Sequence, residues 1–171
     1  EQNDTINKWR HDRMYKLLKP LINYDTNLNW LTVGDGRYGT DANALLSLGV
    51  KNVMCTDISD KLLRIGNENG FINQYSEENA ENMSFENERF DFVLCKEAYH
   101  HFPRPHIALH EMFRVAKLGI ILIEPCDIKI STPFFDKLFP FIKKIRRKIL
   151  NSEYDDSGHA FEPVGNYVFS V

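Results

Sequence analysis

Apolar positions along this chain alternate between short unbroken runs and three- and four-residue repeats. Met14, Leu17, Leu18 and Leu21 recur at the spacing of one helical face. Residues 1–21 therefore read as a helix that Asn3 or Asp4 can cap and that stops before Pro20. The first run, Trp30, Leu31 and Val33, reads as a strand. It drops into Gly34-Asp35-Gly36-Arg37-Tyr38-Gly39, and a helix follows that Thr40 can cap and Gly49 can stop. The second run, Val53 to Cys55, ends in Asp57. The order is strand, tight turn, helix, strand, acid.

Ser59 can cap a further helix through Leu62, Leu63 and Ile65 that ends by Gly70, and a short third strand is expected over Phe71 to Tyr75. From Glu77 to Asp91 six acids stand against Arg89 alone, which reads as a solvent-facing loop with at most a short helix. Arg89 to Cys95 is nearly continuously apolar, the pattern of a strand buried on both faces. Pro103 and Pro105 mark the start of a helix whose Leu109, Met112, Phe113 and Ala116 share a face. Gly119 separates that helix from a fifth strand, Ile120 to Glu124, ended by Pro125.

Strands alternating with helices imply right-handed crossovers and a parallel sheet covered on both faces. Ligands bind such sheets beyond the carboxyl ends of the strands, where the strand order reverses. Those ends carry Gly34 to Gly36, Asp57, Asn79 to Glu81, Lys96 to His101 and Glu124 to Asp127.

Composition narrows the picture. A length of 171 residues supports one substantial core rather than two ordinary domains, and 43% apolar content suits a globular protein. The formal charge of −3 argues against a chain-wide nucleic-acid surface. Cys55, Cys95 and Cys126 share no metal-type spacing and read as small buried hydrophobes in a reducing compartment. No run approaches membrane-spanning length and the polar start is no secretory leader, so the expected location is the cytoplasm.

The glycine loop and the acid after it fit a nucleoside-containing cofactor. Glycines leave no side chain between backbone and ligand, amides at the helix start meet polar ligand atoms, and the acid takes both ribose hydroxyls. The plainer readings are a bare strand-to-helix turn and a solvated loop acid. Spelled literally, the loop is G-x-G-x-x-G with Arg37 able to face a phosphate, so an NAD(P)-dependent oxidoreductase is the rival enzyme.

From Trp30 to Pro125 the chain resembles the class I S-adenosylmethionine-dependent methyltransferases, most closely the small-molecule branch called type 11. The segments that carry the resemblance are AENMSFENERFDFVLCKEAYHHF and ALHEMFRVAKLGIILIEP. It implies an α/β fold, a Rossmann-like open, mostly parallel sheet with helices on both faces, and S-adenosylmethionine as cofactor. By position, Gly34 and Gly36 would pass under the methionine part, with Asp35 and Arg37 beside them. Asp57 would bind the ribose diol next to Ile58. Ala80 would offer its N–H to the adenine, with Asn79 near the exocyclic amine and Glu81 adjacent. Lys96 and Glu97 would line the floor beside the reactive methyl. Three positions depart from the family pattern. Thr32 stands where an acid is common, Tyr38 holds the place of the third glycine, and only Gly119 precedes the fifth strand.

Methyl transfer needs a general base only where the nucleophile must lose a proton. His101 and His100 are the candidates, with Glu97 and Tyr99 behind them; capping or packing is their plainer role. No metal site is expected. Trp9-Arg10-His11 with Arg13 reads either as a solvated helix face or as cover for the cofactor.

Residues 1–28 are thus expected to form a helical cap and 29–130 the cofactor-binding core. Residues 131–171 would add a basic amphipathic lid and a sixth strand within the same domain. Six basic residues against one acid between Asp136 and Lys148 fit either a solvated helix back or an anionic or membrane-presented acceptor. The chain ends without the final helix and strand of the family fold, so it reads as a shortened sheet or a piece of a longer protein. An open edge would permit a homo-oligomer. A non-catalytic binding protein of the same fold is the third reading.

Overall fold

The computed structural model describes residues 2–124, with side chains from residue 9 onward. The chain runs α1 (Gln2–Lys16), α2 (Lys19–Tyr24), β1 (Asn29–Val33), α3 (Thr40–Ser47), β2 (Asn52–Asp57), α4 (Lys61–Glu68) and β3 (Gln74–Glu77). It continues through β4 (Phe90–Lys96), a 3-10 turn (Tyr99–His101), α5 (Pro105–Val115) and β5 (Ala116–Ile123). The basic lid expected at 131–150, the sixth strand at 165–171 and Cys126 lie outside the described residues.

The strands form one sheet in the order β3-β2-β1-β4-β5, with every pairing parallel. The order reverses between β1 and β4, which opens a crevice at their carboxyl ends. In β1 the two-residue period sends Trp30 to one face and Leu31 and Val33 to the other, and both faces are buried. On Trp30's side the core takes Ile22, Ala42, Leu45, Val53, Cys55 and Leu63. On the other, Val93 and Cys95 pack with Met112 and Val115 of α5.

Several boundaries differ from the sequence reading. The first helix ends at Lys16, and Pro20 lies in the first turn of α2 rather than terminating a helix. Proline is tolerated there because a first-turn amide has no helical partner to lose. Asp60, not Ser59, holds the cap position of α4. The third strand begins at Gln74 because the Phe71 amide closes α4 on the Gly66 carbonyl and Ile72 turns into the core. As a polar edge strand, β3 has no apolar run to betray it. Gly119 lies inside β5 opposite Phe92, and the strand starts directly after α5 with Ala116. Phe113 is exposed, and the buried face of α5 is Ala108, Met112 and Val115.

The acidic segment after β3 is a loop without a helix. Arg114 donates to the Phe85 and Met83 carbonyls at 2.6 and 2.9 Å, and Glu78 accepts from the Ser84 amide at 2.9 Å. Arg114 thereby holds the second half of the loop against the end of α5, where the chain enters β4.

Candidate functional site

The loop after β1 is shaped by close approaches that exclude side chains. Gly34 has φ +75, and a Cβ there would lie 2.6 Å from Ala98 Cβ. A Cβ on Gly36 would stand 2.7 Å from Asp57 Oδ2. The Gly34 and Asp35 amides both donate to the Thr56 carbonyl at 3.0 Å, tying the loop to β2. Asp57 in turn accepts from the Ser59 amide at 3.2 Å and from the Gly36 and Ile58 amides. Burial raises its pKa against the pull of those three N–H groups. Tyr38 keeps the loop's turn at φ 60, in the left-handed region where glycine is favoured, and Gly39 follows at φ 72.

Thr40 does not cap α3. Its hydroxyl donates back to the Arg37 carbonyl, and Gly39 holds the cap position. The capping group is Asp35, whose carboxylate accepts from the Asp41 and Ala42 amides at 2.9 and 2.8 Å and from the Thr32 hydroxyl at 3.0 Å. A buried acid one turn of loop later thus serves the helix start from the strand end where Thr32 replaces the common acid. Burial, reinforced by the Asp41 charge, pushes the Asp35 carboxyl up to about 7.

Between about pH 4 and 7 the folded chain therefore keeps a proton that the unfolded chain has released, and stability falls as pH rises through that window. Asp57, raised by burial, acts in the same sense. His11, lowered first by burial and then by Lys96, acts in the opposite one. Comparison with Asp35→Asn isolates the Asp35 part. Urea unfolding should show the wild type losing stability between about pH 4 and 7, with that loss reduced in the variant.

Beyond β4 a chain of alternating charges runs back to α1. Lys96 is buried, its Nζ 3.3 Å from Asp41 Oδ1 and 3.2 Å from Glu97 Oε2. Tyr15 donates its hydroxyl to Asp41, and its ring lies 5.4 Å from Lys96 Nζ. Burial with the Asp41 charge raises the Tyr15 pKa, so it stays a neutral donor. Glu97, at φ 52, meets Arg10 at 3.1 Å and His11 at 3.8 Å. Burial opposes its ionisation, but Lys96 with Arg10 and His11 outweighs it and holds the carboxyl below its usual range. Such a carboxylate is a weak base.

His100 Nδ1 pairs with Glu124 Oε2, while Glu124 Oε1 accepts from the Tyr99 amide at 3.0 Å. The His101 ring lies against that of His100, with centroids 4.0 Å apart and planes tilted by 45°. Asn79 folds into an Asx turn, its Oδ1 accepting from the Glu81 amide at 2.9 Å. The Glu81 carboxylate is engaged by Arg104, whose amide and Nε both donate at 2.7 Å. It therefore joins the loop after β3 to the start of α5. Ile58 is 67% exposed beside Asp57, and Arg37 is exposed. Among the described residues no group of three His, Cys, Asp or Glu side chains could hold a metal ion.

The structure thus brings Gly34, Gly36, Asp57, Ala80, Lys96 and Glu97 to one edge and turns the Asp35 and Glu81 carboxylates to structural partners. Asp41 and Tyr15 were missed as parts of this edge, while Glu124 was expected there without its partner His100. An acid in a helix's first turn reads as a dipole partner, and nothing in local sequence points Asp41 at Lys96.

Residues 31–123 match the model of the methyltransferase-domain family. Among solved structures, the chain is 29% identical to a Bacillus halodurans protein described as a methyltransferase, with TM-score 0.54, over 78% of this chain and 59% of that one. It is 24% identical to the YcgJ protein of Bacillus subtilis, with TM-score 0.57, over 77% and 57%. A Methanococcus maripaludis protein described as an S-adenosyl-L-methionine-dependent methyltransferase is 16% identical, with TM-score 0.58, over 98% and 89%. The chain spans under two thirds of the length of the first two. No curated protein matches it.

Proposed function

The chain belongs to the methyltransferase-domain family, and on that premise we propose that it moves a methyl group from S-adenosylmethionine to a small-molecule, sugar or lipid acceptor. The observation that carries this reading is the Gly36–Asp57 contact, where a Cβ would stand 2.7 Å from the carboxylate. That close approach supports a carboxylate preset against the glycine loop to grip a ribose diol. The residues fit the cofactor further along the edge. Ile58 and Ala80 offer an apolar place for a flat base, Asn79 a polar rim, and Gly34 and Gly36 a loop without side chains packed on Ala98 and Asp57.

The cofactor supplies a methyl on a sulfonium, which loses its positive charge on transfer. The chain's work is to hold acceptor, methyl and sulfur in line away from water, an effect of roughly 7 to 11 kcal/mol in favourable cases. Where the acceptor is a hydroxyl, His100 is suited to take its proton. Glu124 holds Nδ1–H and so fixes the tautomer that leaves Nε2 as the accepting nitrogen. His101 is the neighbouring candidate. Glu97, ion-paired and weakly basic, is better suited to binding.

The oxidoreductase reading meets a physical obstacle. A dinucleotide's pyrophosphate rests on the first amides of the helix after the glycine loop. Here the buried carboxylate of Asp35 already accepts from two of them. A pyrophosphate would have to replace that carboxylate and lie beside Asp41. Thermal unfolding separates the two readings: S-adenosylhomocysteine should raise the midpoint, and NAD or NADP should not. Stabilisation by the dinucleotide alone would reverse the assignment. Binding of none of these at millimolar concentration would leave the non-catalytic reading.

A cytoplasmic setting is supported by Cys55 and Cys95, both buried free thiols. Among the described residues no helix is long and apolar enough to cross a membrane.

A further inference from the structure

The N-terminal helices have an outer face that takes no part in the site described above. Tyr15, Leu18 and Ile22 turn into the core and are buried. On the opposite side Trp9 is 58% exposed, Leu17 73% and Tyr24 81%. Trp9, Arg13 and Leu17 follow one another at four-residue steps, which puts them on one side of α1 and the turn that closes it. Arg10, Arg13, Lys16 and Lys19 are also exposed, and from residue 9 to 24 the only acid against these four cations is Asp12. Arg10 pairs with Glu97. No described carboxylate lies within ion-pairing distance of Arg13, Lys16 or Lys19. The Arg13 guanidinium instead lies 4.8 Å from the centroid of the Trp9 ring. Since the whole chain carries a charge of −3, these cations are a local concentration rather than part of a general positive field.

We propose that this face docks the protein on an anionic lipid bilayer, with Trp9, Leu17 and Tyr24 entering the headgroup region and Arg13, Lys16 and Lys19 meeting lipid phosphates. A bilayer surface takes both kinds of side chain at once. Indole and phenol rings settle at headgroup level, a leucine gains by leaving water, and long basic side chains keep their charge at the phosphates. A protein partner fits less well, because the centre of such an interface is depleted of charge, and here cations separate the apolar side chains. A nucleic acid would use the cations and rings but has no place for Leu17. The inference does not depend on the methyl-transfer reading. It favours a lipid among the proposed acceptors, because the helix that docks also reaches the site edge through Tyr15 and Arg10.

The fold supplies its own probe. Of the two tryptophans, Trp30 is fully buried in the core, so only Trp9 reports on the surface. The full chain is titrated with vesicles of phosphatidylcholine alone and of phosphatidylcholine with phosphatidylglycerol at about three to one, following tryptophan emission and co-sedimentation. The anionic vesicles should bind at least about ten-fold more tightly than the neutral ones and shift the emission to the blue. Arg13→Glu with Lys16→Glu should weaken that binding about ten-fold or more. Leu17→Ser with Tyr24→Ser should weaken it to a similar extent while the melting midpoint stays near that of wild type, since both side chains are exposed. Equal binding to both vesicle types would overturn the proposal, as would sedimentation without a blue shift. Binding that survives both pairs of substitutions would overturn it too and move the contact to the basic stretch from Asp136 to Lys148. Tighter binding to single-stranded RNA than to anionic vesicles, lost in the charge-reversed variant, would assign the face to nucleic acid instead.

Discussion

Asp57→Ala is expected to weaken S-adenosylhomocysteine binding by about 1.5 to 3 kcal/mol, roughly ten- to 150-fold, the range for hydrogen bonds to a charged group. The size follows from how the carboxylate is prepared. The Gly36, Ile58 and Ser59 amides hold it in place before any ligand arrives, so a diol gains two acceptors with little reorganisation. Half-burial strengthens the bonds by keeping competing water on one side only. Alanine removes both oxygens while leaving β2 paired with β1 through its backbone. The unfolding midpoint should therefore change far less than the affinity. Calorimetry decides it: unchanged affinity would take Asp57 out of the site.

Gly66→Ala is expected to cost about 3 kcal/mol of stability and to lower the midpoint of thermal unfolding by roughly 10 °C. A Cβ at Gly66 would lie 2.3 Å from the Tyr38 carbonyl oxygen and 2.9 Å from its carbon. Those are backbone atoms, so no rotamer relieves the clash. The loop cannot yield easily either, because the next residue, Gly39, is itself packed on Ile72, where a Cβ would stand 2.6 Å from Cγ2. Helix α4 must move away from the glycine loop, and ligand affinity should fall with it. Gly49→Ala is the control. It has φ +101 and no atom within 4 Å of its Cβ position, so only the backbone conformation is penalised, at about 1 to 2 kcal/mol. Circular-dichroism melts of the two variants would settle the comparison, and a Gly66→Ala protein as stable as wild type would show that α4 and the loop are not in rigid contact.

The strands were legible because three of the five are buried on both faces and declare themselves as apolar runs: β1, β2 and β4. The crossover pattern then followed, and with it the edge at which Gly34, Asp57 and Lys96 meet. Pro20 and Gly119 misled for one reason. Each is a breaker in mid-element but is tolerated at a position that sequence does not reveal, the first turn of α2 and a strand facing Phe92. The polar edge strand β3 was placed three residues early, because Ile72 points to the core without belonging to the sheet.

What the chain's own sequence determined, then, was the alternation of elements and the faces buried by the strands, though not the face of α5, where Phe113 is exposed. Those depend on neighbours three or four residues away, and the periods of helix and strand record them directly. Which charges meet was decided by tertiary structure alone. Asp41 finds Tyr15 and Lys96, Glu97 finds Arg10, and His100 finds Glu124 because the parallel sheet brings distant strand ends and α1 to one rim. A buried charge must be paired, but the rule says nothing about where in the chain its partner lies.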